Sequence, residues 1–471
     1  MDFIDRDKES ARLSRAIMKG GSFIIVYGRR RMGKSTLIRH VINNDDVYYE
    51  ADMSEKKTQI SLLVHVLRLL YPSFEGAAFD DWASILNSFN SVCREGSTLV
   101  LDEFPYLVKQ APELPSVIQR LVDSGSMRFN LIICGSSQRM MQKLVLDASE
   151  PLYGRASEKI CLGPIRIDYW KRYFALSAVD AVKEFSVWGG VPRYWVLRED
   201  FDSLMDAVDY LVLDEHGLLA NEPSALLMDE VPEFAPYSSI MTAVAGGNQR
   251  FSHIADSIGR KVNELAAPLS NLIEMNYLKK EVPFGESPAK SRKTLYKISD
   301  PFICFYYKFI VPNKSLLALG RTTRIKSYIE EKLPEVSSAV WEDCCRNAVS
   351  GNCLFDKCWG LAGRWWGSVP KFKEGKKTPE SQVEIELDVV AESADRTTLL
   401  IGECKWAAPD YADRLYRVLK AKVADMQIAG IPFLSGKEIE YVLFLKSRPL
   451  VDFSAPNLHI LYPEDVLDLQ G

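Results

Sequence analysis

The chain has 471 residues, 47% of them apolar and 26% charged, and its 58 basic against 63 acidic side chains leave a net charge of −5. That mix is an ordinary globular one, with room for roughly three domains, and it excludes disorder, a collagen-like repeat or a coiled coil as descriptions of the whole chain. The acidic balance excludes a basic coat for nucleic acid over the whole surface and leaves room for a local basic patch.

The opening Met1-Asp2-Phe3-Ile4-Asp5-Arg6-Asp7-Lys8 carries charge where a signal peptide needs an apolar run. No stretch approaches the ~18 uncharged apolar residues of a membrane span. The longest apolar stretch, residues 301–311, is short and contains Lys308. Nine cysteines, an odd number without a framework, predict free thiols in a reducing compartment. The expectation is a cytoplasmic protein with no membrane partner.

In chain order, residues 1–165 alternate short apolar runs with helical patterns, which predicts a parallel α/β sheet. Strands fall at 22–27, 47–50, 98–102, 131–134 and 159–162, and crossover helices at 59–70 and 82–93. Residues 166–230 read as an aromatic-rich helical lid, interrupted by Gly189-Gly190-Val191-Pro192, a helix stop followed by a helix start. Residues 231–310 give helices at 237–245, 251–258 and 262–275, then a hairpin whose tip carries Lys290, Arg292 and Lys293. That order predicts a winged helix-turn-helix with its third helix in a major groove and its tip on phosphates, or a winged helix that only packs domains together. Residues 311–471 read as a second α/β unit: a helix holding 341–349, strands at 364–367, 383–391, 398–406 and 441–446, and a long helix at 412–426.

Gly28-Arg29-Arg30-Arg31-Met32-Gly33-Lys34-Ser35-Thr36 fits G-x-x-x-x-G-K-S/T between an apolar strand and an amphipathic helix. Its glycines let backbone N–H groups wrap phosphates, and the helix N-terminus adds its positive end. Lys34 is expected on the β/γ-phosphates of ATP and Ser35 on Mg²⁺. About 70 residues later, Leu99-Val100-Leu101-Asp102-Glu103 ends an apolar strand in two acids. Asp102 is expected to hold the Mg²⁺ shell, and Glu103 to polarise the attacking water. Ser136, in Gly135-Ser136-Ser137, either reports the γ-phosphate or caps a helix. Arg155 either senses phosphate charge or is a surface arginine.

In these residues the chain resembles the archaeal-type P-loop ATPases of the AAA+/STAND assemblage. The matching stretches are Phe3-Ile4-Asp5-Arg6-Asp7-Lys8-Glu9, the P-loop, Leu101-Asp102-Glu103-Phe104-Pro105-Tyr106, Cys134-Gly135-Ser136-Ser137 and Gly190-Val191-Pro192-Arg193-Tyr194. The resemblance spans essentially the full chain. It implies that the first of these segments lies near the adenine, that a winged helix follows the ATPase core, and that Ser299-Asp300-Pro301-Phe302 introduces a C-terminal domain.

In that last domain, Glu384, Glu386 and Asp388 alternate with Ile385, Leu387 and Val389, and the next strand carries Glu403-Cys404-Lys405. A hairpin with its tip at 393–396 sets Asp388 opposite Glu403 and Glu386 opposite Lys405. Two carboxylates facing each other call for a cation, and Mg²⁺ suits oxygen ligands. Acid, then E-x-K, on adjacent strands resembles the restriction-endonuclease-like (PD-(D/E)xK) nucleases, although Leu387 stands where their motif has proline. The resemblance implies Asp388 and Glu403 on the metal, Lys405 on the attacking water, and Glu342 as an additional acid. Arg364, Lys371, Lys373, Lys376 and Lys377, interleaved with Trp365, Trp366 and Phe372, would grip a nucleic-acid backbone or form a solvated loop. The bland alternative for the acids is a Glu386–Lys405 salt bridge. The cysteines at 344, 345, 353 and 358 lack C-x-x-C spacing, and the five histidines lack metal-ligand spacing, so no zinc site is predicted.

The sequence thus predicts an ATP- and Mg²⁺-dependent hydrolase coupling nucleotide state to DNA and to phosphodiester cleavage. Its alternative is an ATP-gated DNA- or protein-binding switch with an inactive nuclease-like domain. Self-association, a protein partner and the source of any arginine finger stay open.

Overall fold

The computed structural model describes residues 5–372, 379–407 and 411–470. The chain forms two compact units, one from Met1–Ile165 with Val191–Leu197, the other from Arg166–Gly190 with Arg198–Gly471.

The first unit runs α1 (Asp7–Met18), β1 (Phe23–Tyr27), α2 (Lys34–Val41), β2 (Val47–Glu50), α3 (Lys56–Leu70), α4 (Trp82–Val92), β3 (Thr98–Asp102), α5 (Phe104–Gln110), α6 (Leu114–Asp123), β4 (Asn130–Gly135), α7 (Gln138–Leu146) and β5 (Glu158–Cys161). The five strands are parallel in the order β2-β3-β4-β1-β5. β3 and β4 are buried along their whole length, which is why they read as unbroken apolar runs rather than alternating ones. Phe23 and Ile25 of β1 pack with α3, α4 and α6 on one face, while Ile24 and Val26 are buried on the other. β4 lies between β1 and β3, so the P-loop after β1 and the acids at the end of β3 open on one carboxyl edge, where parallel α/β sheets bind ligands.

The chain continues through α8 (Ile167–Tyr173), α9 (Ala178–Trp188), α10 (Pro192–Arg198), α11 (Leu204–Val208) and α12 (Glu222–Glu230). Three helices follow, α13 (Phe234–Ala245), α14 (Phe251–Ile258) and α15 (Ala266–Glu274), then the antiparallel hairpin of β6 (Leu278–Glu281) and β7 (Leu295–Ile298). Arg250 adds a bridge to Leu295. Next come α16 (Pro301–Phe305), α17 (Lys314–Ala318) and the 28-residue α18 (Thr322–Val349). The tiny hairpin of β8 (Cys353–Leu354) and β9 (Lys357–Cys358) leads into β10 (Gly363–Phe372), β11 (Pro379–Glu392), β12 (Thr398–Lys405), α19 (Ala412–Ile428), β13 (Glu438–Leu445), β14 (Leu458–Leu461) and α20 (Pro463–Asp468). β10 to β14 form one sheet in sequence order, antiparallel as far as β12 and parallel from there. α18 covers one face with Trp341, Cys345 and Val349, joined by Ala178 and Val182 of α9; α19 covers the other with Leu415, Leu419 and Val423.

Two expectations fail here. Cys353 and Cys358 stand opposite each other across the β8–β9 turn and are joined as a disulfide, whereas the other seven cysteines are free. The turn places Phe355 and Asp356 at positive φ, a hairpin geometry that apposes the flanking residues whatever their spacing in a motif. Trp365 and Trp366 are buried, so they are core rather than a stacking surface, and the Arg364 guanidinium lies over Trp366. Of the neighbouring basic run, Lys371 is exposed, while Lys373, Lys376 and Lys377 lie outside the described residues. Among the described residues no helix is long and apolar enough to cross a membrane.

Candidate nucleotide site and a second acidic cluster

β1 feeds the chain into the loop 28–33, and α2 starts at Lys34. Gly28 has φ +151°, and a Cβ there would stand 2.5 Å from the Leu162 carbonyl oxygen, so only glycine lets the chain leaving β5 come this close. Gly33 takes the left-handed conformation that turns the loop into α2. Arg29 and Met32 are buried, Arg31 has φ +70°, and Arg30 and Thr36 face solvent. Arg6 braces the loop by donating to the Met32 and Gly163 carbonyls at 3.2 and 2.8 Å. Phe3 and Ile4 lie outside the described residues.

Lys34 is 6% exposed, and its Nζ donates to the carbonyls of Gly28 at 2.9 Å and Arg29 at 3.2 Å. Burial holds its pKa below the usual lysine value. The next residue, Ser35, donates its Oγ proton to Asp102 Oδ2 at 2.7 Å. The Tyr48 hydroxyl, from the edge strand β2, donates to the same oxygen, and the Glu103 N–H donates to Oδ1 at 2.8 Å. Burial pushes the Asp102 carboxyl up. Hydrogen bonds from Tyr48, Cys134, Ser35 and Glu103 outweigh that, so it lies below the usual aspartate value and is charged at neutral pH. Glu103 has φ +51°, a left-handed conformation costing a non-glycine residue roughly 1–3 kcal/mol and concentrated at functional sites. Its carboxylate accepts from Ser136 N at 3.2 Å and Ser136 Oγ at 2.9 Å.

A glycine cradle, a buried lysine and a hydroxyl already against a charged carboxylate form a donor set that fits a Mg²⁺-nucleotide. Arg155 is elsewhere: its guanidinium grips Asp123 through two bonds of 2.8 and 3.0 Å and also donates to the carbonyls of Pro151 and Tyr153.

In the second unit, the β11–β12 ladder pairs Val389 with Gly402, Val390 with Ile401 and Ala391 with Leu400, the register expected from the hairpin tip. The strict alternation expected along β11 breaks at Asp388. Against β10 the pairing jumps from Trp365↔Leu387 to Gly363↔Val390, so β11 holds one extra residue there. Ile385 and Leu387 consequently pack under α19, whereas Val389 and Ala391 pack under α18. This is a β-bulge, a device that re-aims side chains and ends pairing, frequent beside active sites. The freed Asp388 carboxylate accepts the Cys404 N–H at 2.8 Å, where a backbone carbonyl would otherwise continue the ladder.

Glu403 is 8% exposed and is held by two lysines, Lys405 at 2.8 Å on Oε1 and Lys422 of α19 at 2.8 Å on Oε2. The expected Glu386–Lys405 apposition does not form. Glu386 pairs instead with Arg364, two residues along β10 from the Trp366 that stands opposite it. Burial, then the charge of Glu403, raises the Asp388 pKa; burial, then the charge of Asp388, raises that of Glu342 on α18. Arg346 straps this region, donating to the Asp388 carbonyl at 2.9 Å and pairing with Asp343 and, at 3.6 Å, Glu342. Among the described residues no group of three or more His, Cys, Asp or Glu side chains is disposed to hold a metal. The β11–β12 ladder ends at Val389↔Gly402, one step short of the expected Asp388–Glu403 pair, and both carboxylates are engaged, Asp388 by the Cys404 N–H and Glu403 by its two lysines.

A family model described as an ATPase domain predominantly from Archaea matches residues 3–172, and one for archaeal and bacterial proteins of unknown function matches residues 306–418. The uncharacterized protein MJECL04 of Methanocaldococcus jannaschii is 30% identical over 434 residues, covering 89% of this chain and 91% of its own length. The chain belongs to this archaeal-type P-loop ATPase family. The ATPase is also similar to the Walker-type ATPase PABY2304 of Pyrococcus abyssi, at 20% identity and a TM-score of 0.51 over 65% of this chain and 96% of that one, a likeness of fold. The ORC2 protein of Aeropyrum pernix gives 14% identity and a TM-score of 0.42, over 68% of this chain and 96% of that one.

Three residues of the ATPase escaped sequence reasoning: Tyr48, Arg346 and Lys422. Tyr48 lies 54 residues before Asp102 and meets it only because β2 runs parallel to β3, with Glu50 level with Asp102. Lys422 looks like any solvent-side lysine of an amphipathic helix, and only the crossing of α19 over β12 brings it to Glu403. Arg346, four residues after Glu342, was the one with a legible signal: an arginine one helical turn from a suspected buried acid.

Proposed function

We propose that the ATPase hydrolyses ATP with Mg²⁺ at the P-loop and that its nucleotide state governs how the second unit engages nucleic acid. The observation that carries the hydrolytic part is the 2.7 Å contact between Ser35 and Asp102 with Glu103 next in sequence, since it joins the P-loop hydroxyl to the acids of β3. Lys34 would leave the loop carbonyls for the β/γ-phosphate oxygens, and Ser35 and Asp102 would hold Mg²⁺ and its water shell. When bound, Mg²⁺ would neutralise charge developing on the phosphates. Glu103, released from Ser136, would orient water and take its proton.

For the second unit, we read α13–α15 with the β6–β7 hairpin as a winged helix. The exposed face of α15 and its approach carries Lys261, Glu264, Ser270 and Glu274, a poor match to phosphates, whereas Lys290, Arg292 and Lys293 at the hairpin tip are exposed. The tip therefore supplies the phosphate contacts in this reading. The base of the same hairpin is tied to the acidic cluster's own supports, Lys279 to Asp343 at 2.8 Å and Glu281 to Arg364 at 3.4 Å. Asp388 and Glu403 would hold Mg²⁺ and Lys405 would position the attacking water in a restriction-endonuclease-like domain. The hydrogen bond from the Cys404 N–H, in the middle of E-x-K, to the Asp388 carboxylate supports that assignment. Two lysines closing on Glu403 favour a second reading, in which this domain binds nucleic acid without cutting it.

Plasmid incubated with Mg²⁺, with and without ATP, tests the choice. Cleavage by the wild type that disappears in Lys405→Ala supports the nuclease. Binding without cleavage on several DNA forms supports the switch. Failure of the protein to retain or hydrolyse ATP with Mg²⁺ would remove both.

A further inference from the structure

We infer that Tyr48 is a positioning residue of the ATPase reaction, fixing the Asp102 carboxylate for Mg²⁺. The inference rests on the reading that Asp102 serves the Mg²⁺ shell. Tyr48 lies on β2, outside both motifs, yet its hydroxyl donates to Asp102 Oδ2, the oxygen that also accepts from Ser35. The Glu103 N–H occupies Oδ1. A carboxylate rotates about its last torsion unless donors pin it, and here two hydroxyls on Oδ2 and an N–H on Oδ1, with the Cys134 thiol beside them, hold it in place.

The two hydroxyls are not equivalent. Ser35 is the residue expected to turn to Mg²⁺, so its bond to Asp102 is lost when the site fills. Tyr48 has no such second role, and its bond can persist and hold the carboxylate while Ser35 changes partner. Its ring is held in turn: the Arg39 guanidinium lies 4.5 Å from the ring centre and pairs with Glu50 at 3.7 Å, next but one along the same strand. A hydroxyl serving only to satisfy a buried acid would affect stability alone; one that orients a Mg²⁺-facing acid must affect Mg²⁺ and spare the nucleotide.

Tyr48→Phe in the full chain separates these, because it removes one oxygen and keeps the ring under Arg39. The readouts are the Mg²⁺ concentration giving half-maximal ATP turnover and the affinity for a fluorescent ATP analogue with Mg²⁺ and in EDTA. We expect the Mg²⁺ requirement to rise about tenfold, the size of one hydrogen bond to a charged group. Nucleotide affinity in EDTA should stay within twofold. An unchanged Mg²⁺ requirement, or an equal loss of affinity with and without Mg²⁺, overturns the inference. Asp102→Asn, run alongside, isolates the underlying reading. If that variant leaves the Mg²⁺ requirement unchanged, Asp102 does not serve Mg²⁺ and the inference falls with it. If Asp102→Asn raises the requirement and Tyr48→Phe does not, only the role of Tyr48 is lost.

Discussion

The two acidic sites of this protein are built on opposite plans. At the P-loop, one contiguous loop and the end of one strand supply most of the groups, and regular parallel strands carry them to a common edge. At Asp388 the sheet has to become irregular: a bulge interrupts β11, the ladder with β12 ends, and α18 and α19 contribute Arg346 and Lys422 from opposite faces. A site of the first kind is fragile in its chemistry and robust in its fold. A site of the second kind is the reverse, because its geometry is itself a packing result.

The largest expected effects probe the first plan. Lys34→Ala should weaken ATP binding by about a hundredfold or more in a fluorescent-nucleotide titration, since it removes the buried cation proposed for the phosphates. Glu103→Gln should keep that binding and lower turnover by at least about a hundredfold, the span of general-base contributions. Normal turnover in Glu103→Gln would remove the base assignment. Neither change should move the denaturation midpoint of the second unit.

Next in size is Arg346→Ala, which takes the cation from Glu342, leaves Asp343 with Lys279 alone and removes the donor to the Asp388 carbonyl. Its cost should be about 1.5–3 kcal/mol in a denaturant titration, the scale of lost charge-assisted hydrogen bonds, with ATP binding by the first unit unchanged. An effect under ~1 kcal/mol would mean that the bulge does not depend on its strap and that the second site is no more a packing result than the first.

A pH dependence sharpens it further. Burial pushes the Glu281 carboxyl up, but Lys297, Arg346 and Arg364 together hold it below the usual glutamate value. The folded state therefore prefers Glu281 charged. Its contribution is fully present above the ordinary glutamate pKa of about 4.3 and is lost as pH falls through the lower folded value. Acid titration of stability should show a loss in that window that is smaller in Glu281→Gln. The smallest effect is expected from Arg155→Ala: with its guanidinium already committed to Asp123, turnover should change less than twofold.

The first unit was legible because its signals are local. Strand positions 47–50 and 98–102 coincide with β2 and β3, and the P-loop sits between the strand and helix its mechanism needs. The β11–β12 register could likewise be read from one hairpin tip, since antiparallel pairing is a sum rule. What failed were statements that assumed regularity or solvent. Period-two alternation puts Val389 with Ile385 and Leu387, whereas the residue inserted at the bulge flips the positions beyond it. Trp365 and Trp366 looked available among basic residues, but a two-faced sheet buries them.

By itself, then, the order of residues determined what local rules control: the strand–loop–helix that cradles phosphate, the acids that end β3, and the turn that pairs β11 with β12. Tertiary structure alone decided which distant groups meet the acids, namely Tyr48 at Asp102, Lys422 at Glu403 and Arg346 behind Asp388. The reason is physical. Backbone geometry and turn chemistry act over a few residues and leave a pattern in sequence, whereas a side-chain contact between elements depends on where helices and strands cross, and the crossing is fixed by the packing of the whole core.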